Sequence, residues 1–551
     1  MKRNIFLGAA LLLLTASCSN NDTTNEDEKG KVNVAHAVNF TVDFADYNAE
    51  QELNVTRAGS KEEKLEQQAV DLGNGIIAMC TLQRDTTQQT KQERQAATRA
   101  LADDTYTMLA YDAATHAFKG EMTGTVSGGA FTPADAQKRI LLEPGTYDFV
   151  LFNSKVSRSG NNLTVNRSDA ANAMIGRTQQ TINSTPKQQQ VAFTMKHAGA
   201  KVKIKLTGYM SFTGVTATLE SVNATDIPAS SVYDAANNTW TAGTGAAMTE
   251  NITYGASQGS TGIDQGKYVA NSNEETPFMP STDVSTLKLT FTAGSIYLQN
   301  MANVSLTFSP ASTLKLEQNG AYVLNVNLMY SFLYLMNNGD IGTIKDTTFG
   351  GGTKTPIGIV VSQSRHLAVA LEDAGQNPWT RFGGNDPKNK DRKNNFMDLL
   401  ALENGYQETW DASASVDNTT VKGLSILYPA FKDAGDYSPT LPTGVSISGT
   451  MVGRKWHLPA YGEWKYVFTA LGFGNISLVT NWGSHNWYGN MMNVAFRQVN
   501  GKSLLNTGYW SSSEYIDAKA PYFYPLLSSV IFGNGSRDGN AVTRAFIKYR
   551  D

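Results

Sequence analysis

Residues 191–208 read VAFTMKHAGAKVKIKLTG, and the spacing of their apolar side chains decides how the chain up to Tyr330 folds. Lys201, Lys203 and Lys205 alternate with Val202, Ile204 and Leu206, a period of two that gives a strand one wet face and one dry face. The same alternation puts Val38, Phe40, Val42 and Phe44 of HAVNFTVDFAD (36–46) on one side and Asn39, Thr41 and Asp43 on the other. TYTMLAYD (105–112), GTYDFVLFN (145–153), LKLTFTAG (287–294), VSLTFS (304–309) and AYVLNVNLMY (321–330) read as further strands. Gly, Asn, Ser and Thr clusters separate these runs, and no stretch before Tyr330 has the period of a long amphipathic helix. Short strands with turn signals between them predict β-sandwiches, and the region divides at residue 200. Residues 59–104 differ: runs rich in Gln, Glu and Lys flank one short apolar strand, LGNGIIAMCTL (72–82), and predict a long exposed segment or pair of loops.

After Tyr330 the texture changes. Seven of the eight tryptophans lie beyond residue 370, together with two helical patterns. NNFMDLLALENGY (394–406) spaces Phe396, Met397, Leu399 and Leu400 along a helix that stops at Asn404-Gly405. YGEWKYVFTALGFG (461–474) spaces Trp464, Val467, Phe468 and Leu471 at i, i+3, i+4 and i+7 and stops at Gly472 and Gly474. The expected end of the chain is therefore a compact α+β domain.

The 551 residues carry 46 basic and 49 acidic side chains, a net charge of -3, with no long Lys/Arg run. That balance argues against nucleic acid or an anionic membrane surface as the partner. Lys2 and Arg3, the apolar run from Ile5 to Ala16, and Thr15-Ala-Ser-Cys18 form an export signal too short for a membrane span. Ending on cysteine, it resembles a bacterial lipobox, in which Cys18 would be lipidated and become the first mature residue, although Thr15 stands where Leu is usual. The polar, acidic SNNDTTNEDEKGK that follows is expected to be a solvated tether. Cys80 is the one other cysteine, so no internal disulfide framework exists, and its apolar setting predicts a small core residue.

VNFTVDF followed by Val55-Thr-Arg-Ala58, Thr98-Arg-Ala-Leu-Ala102 ahead of TYTMLAYDAAT, the GTYDFVLFN strand, the MKHAGAKVKIKL junction and the closing GAYVLNVNL (320–328) together resemble a fimbrillin, the pilin-type lipoprotein of Gram-negative anaerobes. The resemblance implies two transthyretin-like β-sandwiches and assembly with other fimbrillin subunits by strand exchange. In that family an arginine-specific protease removes the N-terminal segment with its first strand, leaving a groove for a neighbour's strand. Mapped here, the cut falls at Arg57-Ala58, with Arg99-Ala100 as second choice. An unpaired edge is a template for such β-augmentation.

In the last part, PIGIVVSQSRHLAVALEDAGQNPW (356–379), GRKWHLPAYGEW (453–464), GYWSSSEY (508–515) and AVTRAFIKY (541–549) resemble the C-type-lectin-like domains related to sulfatase-modifying factors. Trp456, Leu458, Pro459, Glu463, Trp464, Trp510 and Arg544 occupy positions of that pattern, with departures at His457 and Ala460. The sulfatase-modifying enzymes use paired active-site cysteines, which this region lacks, so that chemistry is excluded. A metal would need His366, His457 and His485 to converge, and His457 and Glu463 do not have the spacing of a helical metal pair. The residues of GRKWHLPAYGEWKY instead suit a strand end, a helix start with Glu463 in its first turn and Trp464 in the core, with Arg544 and Glu514 as candidates for an ion pair at this corner. Calcium is the one cation the loops could hold, through GGNDPKNKD (383–391) and GNGSRDGN (533–540), although neither has EF-hand spacing. Trp482, Trp487 and Tyr488, in the Gly/Asn-rich NWGSHNWYGNMMN (481–493), are the candidate ligand contacts.

The expectation is thus a mainly β chain: a lipoprotein signal at 1–18, a tether at 19–35, fimbrillin-like sandwiches at 36–200 and 201–332, and a C-type-lectin-like head at 333–551. Its expected place is the outer membrane, held by lipid through Cys18 and assembled into fimbriae. The expected role is a tip adhesin whose head meets a host or bacterial surface glycan or protein, not an enzyme, with no cofactor. The alternative is a surface lipoprotein that binds glycans outside any pilus.

Overall fold

The computed structural model describes residues 30–48, 64–66, 69–85, 104–134, 140–184, 189–261, 266–310 and 315–551. Cys18, Arg57, Ala58, Arg99 and Ala100 lie outside them. The fold is mainly β, and the chain forms two compact units. Of the described residues, those within 1–49, 88–198 and 231–241 form the first, and those within 50–87, 199–230 and 242–551 the second.

In the first unit seven strands close on themselves. Their order is Gly145–Asn153, Met174–Ile182, Gln189–His197, Val38–Phe44, Ala130–Pro133, Phe118–Ser127 and Thr105–Asp112, which returns to Gly145–Asn153. Closure removes the open edges an isolated sheet would expose. Val38, Phe40 and Val42 point into the core, where the Phe40 ring meets Phe131, Phe149 and Phe193 at 6.0, 6.2 and 6.3 Å. A smaller sheet joins Ser157–Ser159 and Asn162–Asn166 to Ser230–Asp234 and Thr239–Ala242, the last two arriving from beyond the junction near residue 200. The run at 191–208 is not one strand: it breaks at Ala198-Gly199, Gln189–His197 closing the first unit and Ala200–Gly208 opening the second.

The second unit contains a sandwich. One sheet runs Gln258–Gly259, Tyr268–Asn271, Ala200–Gly208, Ala321–Tyr330, Ile76–Arg84 and Lys64–Glu66, and the facing sheet runs Thr249–Thr253, Thr216–Ser221, Leu287–Ala293 and Ser305–Thr307. Ile204, Leu206, Val326 and Leu328 belong to the same core as Leu219, Leu289 and Phe291. Two expectations are corrected here. Ile76–Arg84 falls inside the span 36–200 expected for the first sandwich, yet it pairs with Ala321–Tyr330 along nine residues in the second unit. Nor is it surrounded by solvent: Ile76, Ile77, Ala78, Cys80 and Leu82 are buried, because a strand with neighbours on both sides must be apolar on the face it turns to the core. Burial pushes the Cys80 thiol up to about 12, which leaves it protonated and unreactive.

Residues 333–551 add two six-stranded sheets. One is ordered Ile341–Gly342, Tyr334–Met336, Pro356–Ser362, Leu367–Ala370, Phe546–Lys548 and Trp456–His457; the other Gly375–Pro378, Asn540–Thr543, Tyr509–Trp510, Lys519–Pro525, Ser529–Ser536 and Gly483–Asn486. The helix at Phe396–Ala401 is capped by the Asn395 side chain, which accepts from the Asp398 amide at 2.8 Å. It ends at Leu402, before the expected stop. Asn404 instead precedes a second helix, Gly405–Trp410, and Met397, expected on the apolar face, is exposed. Gly405 is there for space: a Cβ would lie 2.4 Å from Glu463 Oε2 and 2.5 Å from the Ala460 nitrogen.

Candidate functional site

Val38–Phe44 is held unequally on its two sides. Along one it runs parallel to Gln189–His197 in a register of seven pairs, from Val38 opposite Gln189 to Phe44 opposite Met195. Along the other, its register with Ala130–Pro133 is the single pair Thr41 and Ala130, beside a 2.8 Å bond from the Val42 amide to the Gly129 carbonyl. Its side chains alternate strictly between core and solvent, with Val38, Phe40 and Val42 inward and Asn39, Thr41 and Asp43 outward. Those three apolar side chains contribute roughly 1.5–3 kcal/mol each on burial. A strand of the same alternation could take the same slot, since the backbone ladder of Gln189–His197 reads no side chains and the alternate pockets read only apolar character.

The corner built by residues 456–464 is sealed. Trp456 and His457 pair with Ile547 and Phe546. Glu463 Oε2 accepts from the Ala460 amide at 2.7 Å and lies 3.5 Å from His457 Nε2, with all three residues buried. Trp464 opens the helix Trp464–Ala470 and stacks on Phe523 at 4.7 Å. The buried Leu458 amide donates to Thr409, and the Pro459 carbonyl accepts from the Ser512 amide at 2.7 Å. Trp510 donates from its indole to the Asn377 carbonyl at 3.0 Å. Every side chain of this cluster is buried, which suits a role in shaping the fold. His366 donates from Nδ1 to the backbone oxygen of Asp551 at 3.2 Å, and His485 from Nε2 to the Asn481 carbonyl at 3.0 Å. Among the described residues no group of three His, Cys, Asp or Glu side chains is placed to hold a metal.

The two Gly/Asn-rich loops do converge, around a cation supplied by the chain itself. The buried Arg537 guanidinium pairs with Glu514 Oε1 and donates to the carbonyls of Gly384 and Asp386 at 2.8 and 3.1 Å. Glu514 Oε2 accepts the backbone amides of Lys388 and Asn389. A carboxylate and two carbonyls are hard-cation ligands, but the fixed guanidinium already sits among them, and these groups do not suit a calcium ion there. Both ion-pair candidates are paired, each with a partner the sequence left open. Glu514 joins Arg537, whereas Arg544 lies 2.7 Å from Asp373 and donates to the carbonyls of Ala370 and Lys502.

Trp482, Trp487 and Tyr488 separate in space. Trp482 is half-buried, packed edge-on against Phe396 at 5.0 Å and Tyr515 at 5.4 Å. Trp487 is only 4% exposed, with its indole nitrogen bonded to the Leu526 carbonyl. Tyr488 is half-buried and, with Trp487, borders a cavity. Sequence reasoning missed Phe473, which lines the same cavity; its position between Gly472 and Gly474 was read as a helix stop, and that glycine pair was the available signal.

The chain up to Tyr330 thus has a strand slot filled from its own N-terminal part, and a second parallel pair in which Ala321–Tyr330 runs beside Ala200–Gly208. Residues 56–330 match the fimbrillin-like family. The fimbrillin-like region begins after Val38–Phe44, takes in Ile76–Arg84 and ends with Ala321–Tyr330. The chain shares 13% identity with a fimbrial protein from Bacteroides ovatus over 94% of this chain and 99% of that one, at a TM-score of 0.23. A candidate cell adhesion protein from Bacteroides uniformis shares 16% over 54% of this chain and 94% of that one, at 0.29. No curated protein matches the chain. Among the described residues no helix is long and apolar enough to cross a membrane.

Proposed function

We propose that this chain is a cell-surface fimbrial subunit, exported and lipidated at Cys18, that receives a strand from a neighbouring subunit and carries residues 333–551 as a lectin-like binding head at the fibre tip, without catalytic activity. The observation that carries this is the one-sided hold on Val38–Phe44: seven register pairs against Gln189–His197, one against Ala130–Pro133, and three apolar side chains in line. A cut after Arg57 severs that strand from everything that follows. The tip position is supported by Ala321–Tyr330, which has neighbours on both sides and leads into the Tyr334–Met336 strand of the last region. Tyr334 then anchors that region by donating to the Ala495 carbonyl at 2.8 Å. A strand so placed is not free to enter another subunit.

The test is uptake of a labelled peptide copied from the terminal strand of a stalk pilin. The protein cleaved by an arginine-specific protease is expected to bind it, and the uncut protein is not. Absence of uptake by the cleaved form, or immunogold label along the shaft instead of at fibre ends, would sink the assignment.

A further inference from the structure

A cavity of about 620 Å³ lies within the second unit, walled on one side by Gly259, Ser260, Gly266, Lys267 and Tyr268 and on the other by residues of the C-terminal region. Recesses between packed layers are frequent ligand sites. The apolar lining is largely aromatic, with Tyr268, Phe473, Trp487 and Tyr488, and it includes two exposed amides, Asn486 and Asn475, the latter with Oδ1 already accepting from Ser477 and its NH2 facing outward for a hydroxyl. No Asp or Glu is among the described lining residues.

Two features fix this arrangement. Phe473 adopts φ 54°, the left-handed region that suits glycine, and it does so between two glycines that cannot carry side chains. A Cβ on Gly472 would lie 2.0 Å from the Trp487 ring, and one on Gly474 2.2 Å from the Phe468 ring. Backbone strain of this kind persists where the surroundings impose it, and it gathers at ligand clamps. The second feature is Asn490, whose buried amide donates to the carbonyls of Tyr209 and Gly266 and so ties the sandwich wall to the other.

We propose that this cavity binds a carbohydrate. Aromatic rings offer flat faces to the C–H face of a sugar ring, and amides both donate to and accept from hydroxyls. A hydrocarbon ligand would leave the amides unused, and a polyanion would find one cation, Lys267, among the described lining residues. The inference rests on the reading of the chain as a surface binding subunit and names the ligand class of its head.

The experiment applies the full chain to a printed array of mammalian and bacterial surface oligosaccharides. Phe473→Gly removes a ring together with its strained backbone, Asn486→Ala changes an exposed side chain, and Ile426→Ser alters an exposed residue that does not line the cavity. Apparent affinity for the bound class is expected to fall about tenfold in each of the first two and to stay at the parent value in the third. Thermal melts identify a folding defect, and if Phe473→Gly shows one, Asn486→Ala carries the test. A parent chain that binds nothing on the array, or cavity variants that bind as the parent does, would overturn the proposal. Strand-peptide uptake, measured on the same proteins after cleavage by the arginine-specific protease, stays at the level of the cleaved parent in either case and so reports separately on the fimbrial reading.

Discussion

Glu408 Oε2 and Lys422 Nζ face each other at 2.9 Å with both side chains sealed from solvent. Burial raises the Glu408 carboxyl from 4.5 to about 7, the Lys422 charge opposing that rise and the charges of Asp391 and Glu514 adding to it. A raised folded value means the native state holds a proton that the unfolded chain has released. The stabilisation from this group is complete below the unfolded value of 4.5 and is lost as pH climbs through about 7. The melting temperature of the second unit is therefore expected to fall over that window, and Glu408→Gln/Lys422→Met should flatten the fall. Lys422→Met alone strands a buried carboxylate and should cost about 3–5 kcal/mol in chemical denaturation, the double variant much less. Gly405→Ala forces a methyl against Glu463 and Ala460, and a loss of about 1–3 kcal/mol is expected from the same measurement. At this scale the sequence made the corner at 456–464 readable, because a proline, a first-turn glutamate and a tryptophan at helical spacing have local meaning. It did not tell that Glu514 would choose Arg537 and Arg544 would choose Asp373, because those partners meet only through sheet order.

Strand alternation was plain in Val38–Phe44, Ala200–Gly208 and Ala321–Tyr330, since a period of two is written into neighbouring residues. Neighbourhood was not. Nothing local in Ile76–Arg84 says that it lies against a strand some 240 residues later, and the Gln- and Glu-rich runs beside it argued for solvent. Its position separates the two arginine sites. A cut at Arg57 falls between Val38–Phe44 and Ile76–Arg84, freeing the first and leaving the second joined to its sheet. A cut at Arg99 alone puts both on the released fragment, where nine register pairs still hold Ile76–Arg84. Arg57→Ala is expected to abolish release of the N-terminal fragment under native gel filtration, with release restored in denaturant if Arg99 is cut; Arg99→Ala should leave native release unchanged. Release of the fragment from the Arg57→Ala protein in native buffer would contradict this.

The chain as a whole is interleaved. Residues 231–241 belong to the first unit although the chain on both sides of them belongs to the second. Within the first unit Arg177 reaches the Ala235 carbonyl at 2.5 Å while pairing with Asp148 at 2.8 Å, and Tyr233, Ala235 and Ala236 are buried. A fragment ending at residue 198 lacks these contacts and leaves Asn162–Asn166 without its outer neighbour. It should melt lower than the first unit does in the intact chain, as followed by hydrogen exchange of the Gly145–Asn153 amides. Chelation tests the loops on the same scale: with Arg537 already among their carbonyls, EDTA is expected to leave the melting temperature where it was. The slot beside Gln189–His197 has a mechanical consequence. A strand seated there and pulled along its own axis, as flow would pull a fibre, loads all seven register pairs in shear at once, whereas peeling opens them one after another. Such a joint is weakest when handled gently from one end and strongest under the tension that attachment imposes.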